Sequence, residues 1–402
     1  VTQAMKDVAI VGAGPAGLCL AVELAALGLT VAVIDRAPRA ALAEPADDGR
    51  EIALTHASRR RLEAAGIWSR IAEAHVAPIR AAQLYDGDAT RPLTLAEVDA
   101  TAVRPLGQFV ANRHLRRAAF EAARADSRIE LIAGTGVTAL ETATDSRVLL
   151  REDGERLAAR LVVAADGRLS AMRRQAGVPA QLEDTGRHVL VCRMAHEHAH
   201  DQVTWSWFGY RRALALLPLS GRTASVVMTV TPDEAEWLHS LDAGAFSATV
   251  SDFYRHRLGD MQRVGDLHGY PLWIGYAERL HAERLALIGD AAIGLHPATA
   301  HGFNVGLASV ERLVGEIARG QRQGRDIGDA DVLAAYDRAH RQATRPLWLA
   351  SRAVVGLYND TRPPARLMRR AALGLARRVT PLRWGLEHYL LSDSRRATSP
   401  RP

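Results

Sequence analysis

Apolar residues fall in short unbroken runs near the N-terminus. Val8-Ala9-Ile10-Val11 and Val31-Ala32-Val33-Ile34 lack polar alternation, the pattern of strands buried on both faces of a parallel sheet. Between them Leu18, Leu20, Ala21, Leu24, Ala25 and Leu27 recur at helical spacing, and Gly28 stops that helix. Further amphipathic helices are predicted over 57–68, capped by Thr55, and over 112–125. Residues 161–165 and 284–288 repeat the buried-strand pattern. From about 180 to 278 the periodicity changes to short strands, at 188–194, 203–208, 213–217 and 225–230, and 331–358 returns to helix. A parallel α/β layer with a block of strands inserted into it is the arrangement this order predicts.

Composition and charge narrow the chemistry. The 402 residues are 48% hydrophobic and 24% charged, a globular balance. The net charge of +6 is unevenly placed: residues 361–402 hold ten arginines and two acids, which leaves 41 bases and 43 acids in residues 1–360. A nucleic-acid-binding body would itself be basic, so no nucleic acid is expected as partner. Lys6 is the only lysine. A Walker-type phosphate loop, which needs Gly-Lys-Ser/Thr, is thereby excluded, and a pocket Schiff base is not expected. Cys19 and Cys192 give neither metal-ligand spacing nor a disulfide framework and fit a reducing compartment. No apolar run reaches membrane-spanning length, and no leader pattern precedes the first strand, so a cytoplasmic location is expected.

Gly12-Ala13-Gly14-Pro15-Ala16-Gly17 lies between the first strand and the first helix, and Asp35 ends the next strand. Gly12 allows a tight turn, Gly14 lets backbone approach a pyrophosphate, and Gly17 lets helix pack on strand. The helix N-terminus supplies N–H groups and positive dipole for phosphate, and Asp35 can accept from a ribose. The context fits a dinucleotide site but does not choose between NAD and FAD.

Three more segments bear on that choice. They are Arg50–Thr55 with its following helix, the strand end Asp166-Gly167-Arg168, and the strand end Gly289-Asp290 followed by His296-Pro297 and Gly302-Phe303-Asn304. In this order the set resembles the single-component flavoprotein aromatic hydroxylases, most of all the ubiquinone-biosynthesis hydroxylases, over roughly residues 5–355. The resemblance implies FAD as cofactor and NAD(P)H as transient reductant. It implies FAD contacts at Gly12, Gly14, Pro15, Ala16, Gly17, Asp35, Arg36, Arg50, Arg113, Val137, Asp166, Gly289, Asp290, Pro297, Gly302, Phe303 and Asn304. Close approach to a flat ring would explain both Gly302 and Gly306. The catalytic candidates are His301, Pro297 and Gly302. His301 stands where many relatives have Gln, and His296 is a second candidate for a phenol base.

The expected fold class is therefore α/β: a Rossmann-like FAD-binding domain with an inserted mixed β-sheet substrate domain and a helical C-terminal segment. Its expected parts are 1–78, 103–178 and 279–358 for FAD, 79–102 and 179–278 for substrate, and 359–402 as a basic amphipathic end. Trp205, Trp207 and Leu216 alternate at strand period. With Tyr210, Trp273 and Tyr276 they suit either sheet core or a pocket for a small aromatic or prenylated substrate. Trp205-Ser206-Trp207 also resembles the Trp-x-Trp of flavin-dependent halogenases. Those continue to Ile-Pro and use a lysine, whereas Phe208-Gly209-Tyr210 follows here and Lys6 stands alone. His196-Glu197-His198-Ala199-His200 has metal-ligand composition, but the segment reads as a polar loop and no metal is expected.

The implied reaction is ring hydroxylation by O2 through a flavin C4a-hydroperoxide, in a site that must exclude water. A non-oxygenating oxidoreductase on the same scaffold, such as a prenyl reductase or tailoring oxidase, is the alternative. The basic end suggests peripheral contact with an anionic inner membrane or a biosynthetic complex.

Overall fold

The computed structural model describes residues 5–87, 91–95, 105–209, 212–297 and 301–359. The chain begins with β1 (Lys6–Val11), α1 (Pro15–Ala26), β2 (Val31–Asp35), α2 (Arg39–Ala43), β3 (Glu51–Leu54) and α3 (His56–Ala64). Next come β4 (Val76–Ile79), β5 (Ala81–Asp86), β6 (Leu93–Leu95), β7 (Gly107–Ala111) and α4 (Asn112–Arg124). Then follow β8 (Ile129–Ala133), β9 (Val137–Thr142), β10 (Arg147–Arg151), β11 (Arg156–Ala164) and α5 (Ala171–Gln175). The inserted block is β12 (Ala180–His196), β13 (Val203–Phe208), β14 (Ala213–Pro218), β15 (Thr223–Val230), α6 (Pro232–Ser240), α7 (Ala243–Phe253) and β16 (Met261–Ala277). The described chain closes with β17 (His281–Ala282), β18 (Leu285–Leu287), β19 (Ile293–Gly294), α8 (Gly302–Arg322) and α9 (Ala330–Asn359).

The first sheet has the core order β17-β18-β11-β1-β2-β8, with β10 attached to β11 and β9 to β10. Its centre is parallel: β18 beside β11, β11 beside β1, β1 beside β2 and β2 beside β8. This is why the N-terminal runs lack polar alternation. Val8, Ala9, Ile10, Val31, Ala32 and Ile34 are all fully buried, with helices covering the sheet. The largest apolar core gathers there with α1, α4 and α8.

A second sheet runs β19-β16-β12-β15-β14-β13-β5-β6. Its spine is the antiparallel pair β12 and β16, each 17 residues long, with register shifts at Asp184/His188 and Val191/Arg193. β19, outside the expected insert, joins this sheet by pairing with the end of β16. A small sheet, β3-β7-β4, lies between the two. β4 leads to β5 through a single residue, Arg80, whose N–H donates to Gln202 O at 2.8 Å. The layers are thus joined by continuous chain rather than by a flexible linker. Among the described residues no helix is long and apolar enough to cross a membrane. The basic end at 360–402 and Tyr210 lie outside the described residues.

Candidate active site

Three backbone features meet at the edge of the parallel sheet. β1 ends in the glycine turn, and α1 starts with Gly14 as N-cap and Pro15 in its first turn. Gly289, two residues past the end of β18, takes φ +57°. α8 starts at Gly302. A Cβ on Gly306 would lie 3.5 Å from Gly289 Cα and 4.0 Å from Ala16 Cβ, and one on Gly289 would lie 3.6 Å from Ala16 Cβ. The first turns of two helices and the end of β18 therefore share one small region, and both helix N-termini contribute N–H groups and positive dipole.

The glycines here separate by constraint. Gly12 has φ +112°, and its Cβ would overlap the Ala165 carbonyl oxygen and reach Asp166 N at 3.0 Å. A Cβ on Gly17 would overlap Gly12 O. These two glycines serve the turn and the helix–strand contact. Around Gly14 and Gly302, by contrast, a Cβ would meet nothing within 4 Å. Side chains would meet no described protein atom there, beside the unpaired N–H groups that a helix N-terminus leaves. That space and donor set fit a diphosphate-bearing cofactor. At Gly306 the contact is ordinary, so the protein's own packing does not demand glycine at either Gly302 or Gly306.

The acids are fixed by local bonds. Ala13 N–H donates to Asp35 Oδ2 at 2.7 Å and Ala37 N–H to Asp35 Oδ1 at 2.8 Å, which ties the glycine turn to the end of β2. Ser170 Oγ and Met172 N–H donate to Asp166, at 2.5 and 3.1 Å, so Asp166 caps the turn into α5. Asp290 is paired with Arg168, which donates to Oδ2 at 2.9 Å and also to Trp273 O on β16. Arg168 thus bridges the end of β11, the end of β18 and the second sheet.

Other expected contacts are held differently. Asn304 Oδ1 accepts from Thr55 N–H at 3.1 Å, and its Nδ2 donates to Ala53 O at 2.8 Å. Asn304 is thereby a staple between α8 and β3. Thr55 caps α3 as expected. Arg36 forms a surface pair with Glu152 at 3.0 Å, and Val137 is buried in the apolar core. Arg50 pairs with Asp48 at 2.5 Å and Arg113 with Asp47 at 2.9 Å. Arg193 of β12 joins the same cluster, 2.7 Å from Glu51 and 3.4 Å from Asp47. Gly49 makes this junction possible, since a Cβ there would press on His268 Cδ2 at 2.7 Å and Val191 at 2.9 Å. Pro297 is exposed beyond β19, Phe303 packs against the main core, and His301 is half-buried at the start of α8. His296 is buried, and desolvation, then the Arg168 charge, push it down to about 4. A neutral imidazole of such low basicity does not suit a phenol base.

The substrate residues require correction. Trp205 and Trp207 pair with Leu216 and Leu214 across β13 and β14. Register carries the same face through Val226 to Cys192. That face packs on Phe246, Val250 and Tyr254 from α7 and its end. Trp207 Nε1 donates to Gly87 O at 2.8 Å, and its ring stacks on Tyr85. Trp205, Trp207 and Leu216 therefore form the outer core of the sheet. Tyr276 also turns away, packing on Trp348 of α9 at 5.0 Å between ring centroids. Alternation shows that residues share a face but not which neighbour that face meets. The opposite face carries Ser206, Ala215, Val227 and Val191 in register. It looks toward Gly49 and the β3-β7-β4 sheet, where Leu217 packs with Phe109 and Ile79. Ser206, the one residue between the tryptophans, was the signal for it.

The histidine triplet does not form one face. His196 ends β12 with Nδ1 2.7 Å from His198 O, while His200 Nε2 lies 3.0 Å from Leu219 O. Among the described residues no group of three His, Cys, Asp or Glu is arranged to hold a metal.

Comparison with known proteins agrees along nearly the whole chain. The FAD binding domain family matches residues 5–347. Ubiquinone hydroxylase UbiM of Neisseria meningitidis is 37% identical over 381 residues, 94% of this chain and 83% of that one. Ubiquinone hydroxylase UbiL of Rhodospirillum rubrum is 34% identical, covering 94% and 88% respectively. In fold, the chain is similar to the crystal structure of p-nitrophenol 4-monooxygenase PnpA from Pseudomonas putida, with a TM-score of 0.76 at 16% identity over 98% of this chain and 99% of that one.

Proposed function

This chain belongs to the FAD-dependent aromatic hydroxylases of the ubiquinone hydroxylase family, and from that premise we propose that it hydroxylates the ring of a lipid-soluble ubiquinone precursor. The likeness to ubiquinone hydroxylases over almost the full length carries the substrate class. FAD, reduced by NAD(P)H, supplies the activation of O2.

The protein's own residues bind, orient and exclude water. The α1 N-terminus at Gly14 would receive the diphosphate, with Asp35 at the ribose side. Asp290, held by Arg168, would accept from ribityl hydroxyls. Gly302 and Pro297 would border the ring, where the α8 N-terminus stabilises negative charge. His301 is the candidate for holding a substrate phenol, because His296 is kept neutral by burial. Inner-face residues Ser206, Ala215 and Val227 would wall the aromatic substrate, their size leaving room for a ring. Contact with an anionic membrane would present such a substrate.

The test is turnover of a quinone precursor by the flavin-loaded enzyme with NAD(P)H under isotopically labelled O2. Label in the product ring hydroxyl is expected. Product without label, or NAD(P)H oxidation that ignores every quinone precursor, would overturn this function.

A further inference from the structure

The outer side of α9 carries Arg338, Arg341, Arg345, Leu349 and Arg352, spaced by three, four, four and three residues. That spacing makes one stripe, about 21 Å long at the α-helical rise. Between the stripe and the ends of β12 and β16 lies a groove of about 410 Å³, walled by Tyr276, Trp348, Leu349 and arginines 341, 345 and 352. It continues along Arg338 and Pro346 as a more open trough of about 570 Å³. The Arg341 guanidinium stands 6.0 Å from the Tyr276 ring centre, and that of Arg352 4.9 Å from the Trp348 ring.

Three acids stand near these four arginines and leave a local excess of one positive charge. Asp337 is 4.0 Å from Arg341 and also accepts the Leu280 N–H, and Glu183 is 3.0 Å from Arg352 at the exposed end. Glu278 lines one rim of the groove. Arg338 and Arg345 are exposed and enter no ion pair among the described residues. Beside them Leu349 is 50% exposed. Trp348 is only 5% exposed, and its buried indole N–H has no acceptor among the described residues.

Arginine suits phosphate. A free phosphate, however, would use the guanidinium groups and leave Leu349, Pro346 and the aromatic walls without purpose. The stripe is also several times longer than one small anion. Headgroup phosphates above an acyl boundary match the whole set, with charge along the stripe and apolar side chains between. The chain beyond the described helix adds ten arginines and two acids over 361–402, so the sequence that follows this face is strongly positive.

We infer that the α9 groove binds anionic phospholipid headgroups and seats the enzyme on an anionic membrane. This rests on the reading that the substrate is lipid-borne, and it names the surface that meets the lipid. The test is co-sedimentation of the full-length, FAD-loaded protein with vesicles of phosphatidylglycerol in phosphatidylcholine and with phosphatidylcholine alone. Binding is expected only to the anionic vesicles. The pair R341Q/R345Q should weaken it about 25-fold, at about fivefold for each arginine near the surface. Arg338→Gln, at the open end of the trough and harmless to folding, should weaken it about fivefold. Melting temperature and flavin retention should match the parent in each case.

Parent-like binding by both variants would overturn the inference, even if substitution of the 361–402 arginines abolished binding. Failure of the parent to bind would do the same. So would release by inorganic phosphate beyond that caused by chloride at equal ionic strength, which would mark a small-anion site. None of these outcomes uses turnover. Label transfer to a detergent-dispersed precursor would continue to support the hydroxylase function whatever the vesicles show.

Discussion

Gly12 and Gly14 are two residues apart and answer to different demands. At Gly12 both the φ of +112° and the Ala165 carbonyl exclude a side chain, so Gly12→Ala should destabilise the flavin-free protein by about 3–5 kcal/mol. Gly14→Ala meets no atom of the described residues, so its melting should stay near the parent while FAD affinity falls about tenfold, roughly 1.4 kcal/mol. Thermal melting without FAD, followed by flavin titration, separates the two. Histidines give a second residue-level prediction. Burial pushes His340 down to about 3, and Arg312 donates to its Nδ1 at 2.9 Å. The unfolded chain binds a proton near pH 6.5 that the folded chain refuses. Stability is therefore complete above pH 6.5 and declines as pH falls toward the folded values, about 3 for His340 and about 4 for His296. At pH 4 the loss is on the order of 3 kcal/mol per histidine. His340→Asn, which can keep an acceptor for Arg312, should flatten the acid limb of a melting-temperature profile.

At the scale of elements, α8 is fastened to β3 through the Asn304 side chain. Asn304→Ala strands the Thr55 N–H and the Ala53 carbonyl, and should cost about 1–3 kcal/mol. Asn304→Asp keeps the acceptor and loses the donor, so denaturant midpoints should fall between parent and Ala variant. This staple was not legible in the chain, because its partners lie about 250 residues away and are backbone groups without sequence identity. The parallel strands were legible, since burial on both faces leaves unbroken apolar runs. In β11 that run is Leu161-Val162-Val163, and all three side chains are fully buried. The facing of β13 was not legible. Trp205 and Trp207 announce an apolar face, but α6 and α7, which cover it, are placed only by the folded sheet.

At the scale of the whole molecule, the two large sheets meet through charge as well as chain. Glu51 of β3 is nearly enclosed, with 3% of its side chain exposed, and Arg193 of β12 is its partner. Burial raises the Glu51 carboxyl above the usual range, and Arg193 opposes that rise. Arg193→Met should therefore destabilise the protein by about 2–3 kcal/mol, less than for a fully buried pair because Arg193 is partly exposed. Glu51→Gln with Arg193→Met should cost less than the sum of the two single changes, since no buried charge is then left alone. Denaturant unfolding of the four proteins checks the cycle. The unbroken apolar runs foretold the parallel layer, and the change to short strands from about 180 to 278 foretold the second sheet. The junction itself was hidden, since it depends on Gly49 bringing a loop against Val191 and His268 of the other sheet.

The parallel sheet also sets an order of events during synthesis. One edge of β11 is shared: β10 covers its first half through Arg156–Ala159, and β18 covers Val162, Val163 and Ala164. β10 leaves the ribosome before β11, but β18 follows only after β12 to β16 have been made. At roughly 5–20 residues per second, that interval is roughly 6 to 24 s. Throughout it, three apolar residues of the central layer present an unpaired strand edge to the cell. In this window that edge of β11 is open to mispairing, and a chaperone that covers it would prevent the error.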